Sequence, residues 1–163
     1  REEQLEAQAR REERQLEAQA QLEEQLEAAE QRKQEELKAA AARVYLVGRT
    51  PHSLHAEYLG AYDREPELVN GRIAYAMTGD ADKMLWFSSG NGYWHAGPRA
   101  KLGGPHGWFA GRGKEALLLE RVAAVWQVGS AHGGGWTAAP DVRCLAGAEG
   151  EAAFAELERT NGA

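Results

Sequence analysis

The sequence has a single cysteine, no tract of about 18 consecutive apolar residues, and no excess of basic charge. Each shortage excludes something. Cys144 alone cannot close an internal disulfide, so no oxidising compartment is implied and an intracellular location is the expectation. Without a long apolar run, no helix is expected to insert into a membrane. Lys and Arg number 19 against 25 Asp and Glu, a net charge of -6. A protein that grips a phosphate backbone needs a basic patch, so no nucleic-acid partner is expected. The chain of 163 residues has the length of one ordinary domain. It opens mid-pattern at Arg1, which reads as a fragment or a processed product.

Residues 1–43 lack Gly, Pro, aromatic and β-branched residues altogether, and consist of Glu, Gln, Arg, Lys, Ala and Leu. All are good helix formers, so one long helix is expected. Leu5, Leu16, Leu26 and Leu37 recur at a spacing close to eleven, a straight-helix period rather than a heptad. They leave a stripe too sparse for an ordinary coiled coil. Pairs such as Glu6 with Arg10, Arg14 with Glu17 and Arg32 with Glu36 fall at helical spacing. The expectation is a self-supporting charged helix, with a weak coiled coil or docking to a protein partner as the alternatives.

From Arg43 the idiom inverts. Short runs such as "VYLVG", "YLGAY", "RIAYAM", "MLWFS", "GYWHA" and "VAAVWQV" alternate with turn clusters, and a last strand is expected at Val142–Leu145. This predicts an antiparallel all-β module over 44–147, and 148–163 reads as the start of a second helix or a linker. The fold class is therefore α+β, segregated: a long N-terminal helix, then a small antiparallel β module. In "KMLWFSSGNGYWHAG", Asn91-Gly92 carries the type I′ turn signal, and the flanking residues alternate with period two.

The order of "AEYLGAY", "VNGRIAY", "MLWF", "GYWHAG", "AVWQV", "GGGW" and "DVRC" resembles a small tryptophan-rich β module. That module recurs, often in tandem, in multi-domain proteins of algae and other protists. The resemblance covers about two thirds of the chain and implies a noncatalytic module with no catalytic residues to transfer. The insert between Gly97 and Trp126 is longer than that pattern, and is where a specific function would most easily be added.

The motifs that could carry chemistry lack the patterns that chemistry needs. "GRGKEA" lacks the G-x-x-x-x-G-K-[ST] order of a phosphate loop, with Glu115 standing where the hydroxyl should be. Of His52, His55, His95, His106, His132 and Cys144, only His52 and His55 are spaced as a ligand pair, and no second pair at structural zinc-site spacing accompanies them. Cys144 has no nucleophile signature and reads as a buried structural thiol. No catalytic residue, cofactor or metal is expected. Tyr58, Tyr75, Trp86, Trp94 and Trp126 are expected in the core. Trp108, Phe109 and His106, in the Gly-rich insert, are the candidate binding surface. The functional expectation is a structural or scaffolding fragment, with the helix as spacer or docking arm, the β module as protein-binding head, and weak self-association as a further option. The alternative is a carbohydrate-binding module on a helical stalk.

Overall fold

The structure, a computed structural model, describes residues 1–130 and 135–161. It divides into two compact units, Arg1–Ala39 and Ala40–Ala163.

The first unit is helix α1, Glu2–Lys38, of 37 residues. At 1.5 Å per residue it is roughly 55 Å long. Glu2 and Glu3 lie in its first turn and Lys38 in its last, matching the helix dipole. Leu5, Leu16, Leu22 and Leu26 are all more than half exposed. The arginine side chains turn back onto their own helix: the Nε groups of Arg10, Arg11 and Arg14 donate to the carbonyls of Glu6, Ala7 and Arg10. Gln8 and Gln34 donate to Glu12 and Glu30, four residues away.

The helix stops five residues short of the expected end at 43, although Ala39 to Ala42 would suit it well. The carbonyls of Ala40, Ala41 and Ala42 are taken by other partners. Arg64 reaches Ala40 through its guanidinium and Ala42 through its backbone N–H, and the Tyr75 hydroxyl donates to Ala41. Tertiary hydrogen bonds override helix propensity there.

The second unit is a nine-stranded antiparallel sheet and a helix. Its strands are β1 (Arg43–Val47), β2 (Gly60–Val69), β3 (Arg72–Met77), β4 (Asp80–Ser88), β5 (Tyr93–Pro98), β6 (Phe109–Arg112), β7 (Trp126–Gly129), β8 (Trp136–Ala139) and β9 (Arg143–Ala146), followed by α2 (Gly147–Asn161). The order across the sheet is β8-β7-β6-β5-β4-β3-β2-β1-β9. Strands β8 and β9 are consecutive in the chain yet form opposite edges of the sheet. A link as short as Pro140–Val142 can join them only if the sheet curls until its edges approach.

Cross-strand pairing sorts the side chains by face. Val44, Tyr62, Tyr75, Leu85, Phe87, Trp94, Phe109 and Val128 share the inner face, and all are buried. Phe87 and Trp94 meet at 5.4 Å between centroids, edge to face. The outer face is covered in two places. Helix α2 lays Phe154 and Leu157 over Tyr45, Val47 and Ala61, so α2 belongs to the β unit rather than to a separate segment. Leu102 and the surrounding loop cover Ala74, Met84 and Trp86, whose indole N–H donates to the Gly104 carbonyl at 2.9 Å.

Several strands differ from expectation. The type I′ geometry falls at Asn70-Gly71, with φ of 53° and 78°, between the paired Val69 and Arg72. At the 83–97 hairpin the loop is longer: Ser88 pairs with Tyr93, and Gly92 N–H bonds back to the Ser88 carbonyl. Asn91 keeps an ordinary φ and uses its side chain, accepting from the Tyr93 N–H. Tyr58 lies in a 3-10 turn before β2, and Val122 follows another, so "VAAVWQV" contributes strand only from Trp126. Strands β6 and β8 were not expected at all. "GRGKEA" serves as a receptor for Arg72, whose guanidinium donates to the carbonyls of Gly113, Lys114 and Ala116 and lies 3.6 Å above the Phe87 ring centre.

Gly48, just after β1, has φ of 113°, and a Cβ there would stand 1.8 Å from the Asp141 carbonyl oxygen. Gly71 has open space around it and only its positive φ to satisfy. Gly48→Ala is therefore expected to cost more than about 3 kcal/mol, and Gly71→Ala about 1 kcal/mol. Chemical denaturation of both variants checks this; equal losses would contradict it.

Candidate functional site

The inner face is packed with large side chains: Trp94, Tyr62, Tyr75 and Phe109 are fully buried on it, as is common in small curled sheets. Trp86 is fully buried on the outer face, beneath the Leu102 loop, and Tyr58 and Trp126 are buried as well.

Phe109 does not take part. It sits on β6 with zero exposure and its ring is 6.1 Å from that of Tyr58. The expectation that it shares a surface with Trp108 is corrected by strand alternation: neighbours in a strand point to opposite faces, so burying Phe109 turns Trp108 outward. His106 is exposed in the preceding loop.

Trp108 is 37% exposed and has company that the sequence did not reveal. Its carbonyl accepts from Gly129 N–H at 2.7 Å, and Gly129 pairs directly with Trp136, which is 48% exposed. Trp108, Gly129 and Trp136 thus form a row across β6, β7 and β8. A Cβ on Gly129 would lie 3.8 Å from ring atoms of both tryptophans. The row continues to His55, whose ring stacks on Trp108 at 4.3 Å and 18°.

The segment that delivers His55 is strained. His52, Ser53 and His55 all adopt left-handed φ, between 51° and 57°, at about 1–2 kcal/mol each for non-glycine residues. Clustered strain of this kind is found where a side chain must be held in place for use. The His55 imidazole is largely buried, its Nδ1 is 3.9 Å from a Glu57 carboxylate oxygen, and its Nε2 has no hydrogen-bond partner. In the sequence Trp136 stands out only as one of five tryptophans that could form a binding platform, and His55 only as one of the scattered histidines.

The remaining titratable groups are scattered. Among the described residues no three His, Cys, Asp or Glu side chains gather as a metal site; His132 lies outside the described residues. Cys144 is buried, and that burial pushes its thiol well above the usual range, with Glu120 adding to the shift. A protonated thiol of this kind is a poor nucleophile. His95 is a structural hub. Its Nδ1 is 3.1 Å from the Phe109 carbonyl, which makes Nδ1 the protonated nitrogen, and its Nε2 is 3.1 Å from the Asn91 amide nitrogen. Asn91 also donates to the Pro105 carbonyl, tying the 89–92 turn to the loop that covers Trp86.

Burial holds the His95 pKa below its ordinary value, the Phe109 carbonyl opposes this, and nearby His106 adds to the lowering. The unfolded chain therefore takes up a proton below about pH 6.5 that the folded chain resists. Its contribution to stability is kept above that pH and lost as the pH falls through it. His95→Gln should flatten the fall in stability between about pH 7 and 5, as measured by urea denaturation across that range; an unchanged slope would contradict it. Trp94→Ala should cost about 3–5 kcal/mol, and Trp108→Ala, which removes a stacked and partly exposed ring, about 1 kcal/mol. Equal losses in thermal melts would show Trp108 to be core.

No helix among the described residues is long and apolar enough to cross a membrane. No family model, curated protein or solved structure matches the chain.

Proposed function

We propose that this chain is a noncatalytic structural or scaffolding element, with the β unit as a protein-binding head and α1 as a spacer or docking arm. One observation carries the reading: the row Trp108–Gly129–Trp136, backed by His55, is exposed on a sheet whose inner face is already filled. Exposed apolar clusters mark interaction sites, and tryptophan is the residue most enriched among binding hot spots. His55 holds one face of Trp108, so less side-chain freedom is lost on contact. The resemblance to a recurrent noncatalytic module agrees with this reading, and the solvated stripe of α1 leaves leucines for a docking partner.

A carbohydrate ligand is the second reading, favoured by the exposed indoles, although Phe109 cannot contribute to it. The full chain, probed against a displayed peptide library and a glycan array, separates the two. A peptide ligand should be recovered whose affinity falls about thirtyfold or more in Trp108→Ala or Trp136→Ala, with melting lowered only by the few degrees that about 1 kcal/mol implies. Glycan ligands lost in the same variants would establish the second reading. Ligands indifferent to both variants would remove the site.

A further inference from the structure

A second surface lies between α2 and the segment that follows β1. It is a groove of about 520 Å³, within the range of small-molecule sites. Val47, Leu59 and Leu157 supply apolar lining. Arg143 pairs directly with Val47 across β1 and β9, which places it on the same outer face, and Arg49 also lines the groove. Both arginines are exposed, and among the described residues neither has an ion-pair or hydrogen-bond partner. The acid in the lining, Glu156, is already engaged by Arg159. The groove is therefore cationic, in a chain whose net charge is -6.

Thr50 gives an independent sign of a missing partner. It lines the groove, is 8% exposed, and its hydroxyl is buried without a hydrogen bond. Such a group normally finds a partner, because leaving it unpaired costs about 1–3 kcal/mol. Ser53, also in the lining, holds one of the strained left-handed conformations.

We infer that the groove between α2 and residues 47–59 binds a small aliphatic carboxylate, its headgroup held by Arg49, Arg143 and the Thr50 hydroxyl and its chain lying on Val47, Leu59 and Leu157. A guanidinium forms paired hydrogen bonds with a carboxylate, and the apolar lining suits an unbranched tail. This site is separate from the aromatic row and does not depend on the function proposed for it.

The test uses the full chain and four probes: octanoate, octanol, octyltrimethylammonium and inorganic phosphate. Calorimetry should show saturable octanoate binding at one site, with octanol at least about tenfold weaker and the other two silent. Arg49→Gln and Arg143→Gln should each weaken octanoate about tenfold without lowering the melting temperature. Thr50→Val should weaken binding while raising the melting temperature of the free protein, a split that a purely structural hydroxyl would not produce. Methyl resonances of Leu59 and Leu157 should move on titration. Equal binding of octanoate, octanol and octyltrimethylammonium would overturn the inference, as would binding of phosphate alone. So would tighter binding of a peptide ending in leucine, shifts confined to Trp108 and Trp136, or no octanoate binding.

Discussion

Gly48 and Asp141 meet where the two ends of the sheet come together. Strand β9 must pair with β1, while β8 pairs with β7 at the far edge, and the chain allows only Pro140–Val142 to travel from one to the other. The backbone after β1 passes so close to Asp141 that no side chain fits at position 48. That approach is tolerable because the curl gathers large rings onto one face, where Phe87, Trp94 and Phe109 exclude water together. Apolar area removed from water, at about 25 cal/mol per Å², is the term that sustains such a geometry.

The curl also decides where function can reside. With Trp94, Tyr62, Tyr75 and Phe109 packed on the inner face, the tryptophans left exposed are Trp108 and Trp136 on the outer face. There α2 covers Tyr45 and Val47, and the loop around Leu102 covers Trp86. What remains is uneven: an aromatic row at β6–β8 and a cationic groove beside α2. Strained residues border both, because His55 backs Trp108 while Ser53 faces the groove. A single costly stretch after β1 thus shapes two surfaces.

Much of this could be read from the residues, and the failures have physical causes. A helix of Glu, Gln, Arg, Ala and Leu is legible because local propensity decides it, but its end is not, since the carbonyls of Ala40 to Ala42 are claimed by Arg64 and Tyr75 from other strands. Asn-Gly was a sound turn signal that applied at Asn70 rather than Asn91, where the side chain found better use with His95 and Pro105. Strand β6 was hidden in a glycine-rich insert. Its glycines look like loop, yet Gly111 is there because the Trp126 ring lies within 3.0 Å of where its Cβ would be. Strand β8 is hidden because it follows directly on the turn cluster "GSAHGGG" and is only four residues long. The aromatic row was half legible: Trp108 stood out in its loop, but Trp136, 28 residues ahead, is brought beside it by cross-strand register, and His55, 53 residues behind, by the turns between β1 and β2.

The central claim is that the buried tryptophans build the fold and the exposed ones meet the partner. The chain has five tryptophans, so 5-fluorotryptophan labelling gives one fluorine resonance for each. Exchange of the solvent from H2O to D2O should shift the resonances of Trp108 and Trp136 and leave those of Trp86, Trp94 and Trp126 in place. On adding a ligand, the same two should move and the other three should not. A solvent shift at Trp86 or Trp94, or a ligand response confined to them, would show that the interior is open to contact and would contradict the account.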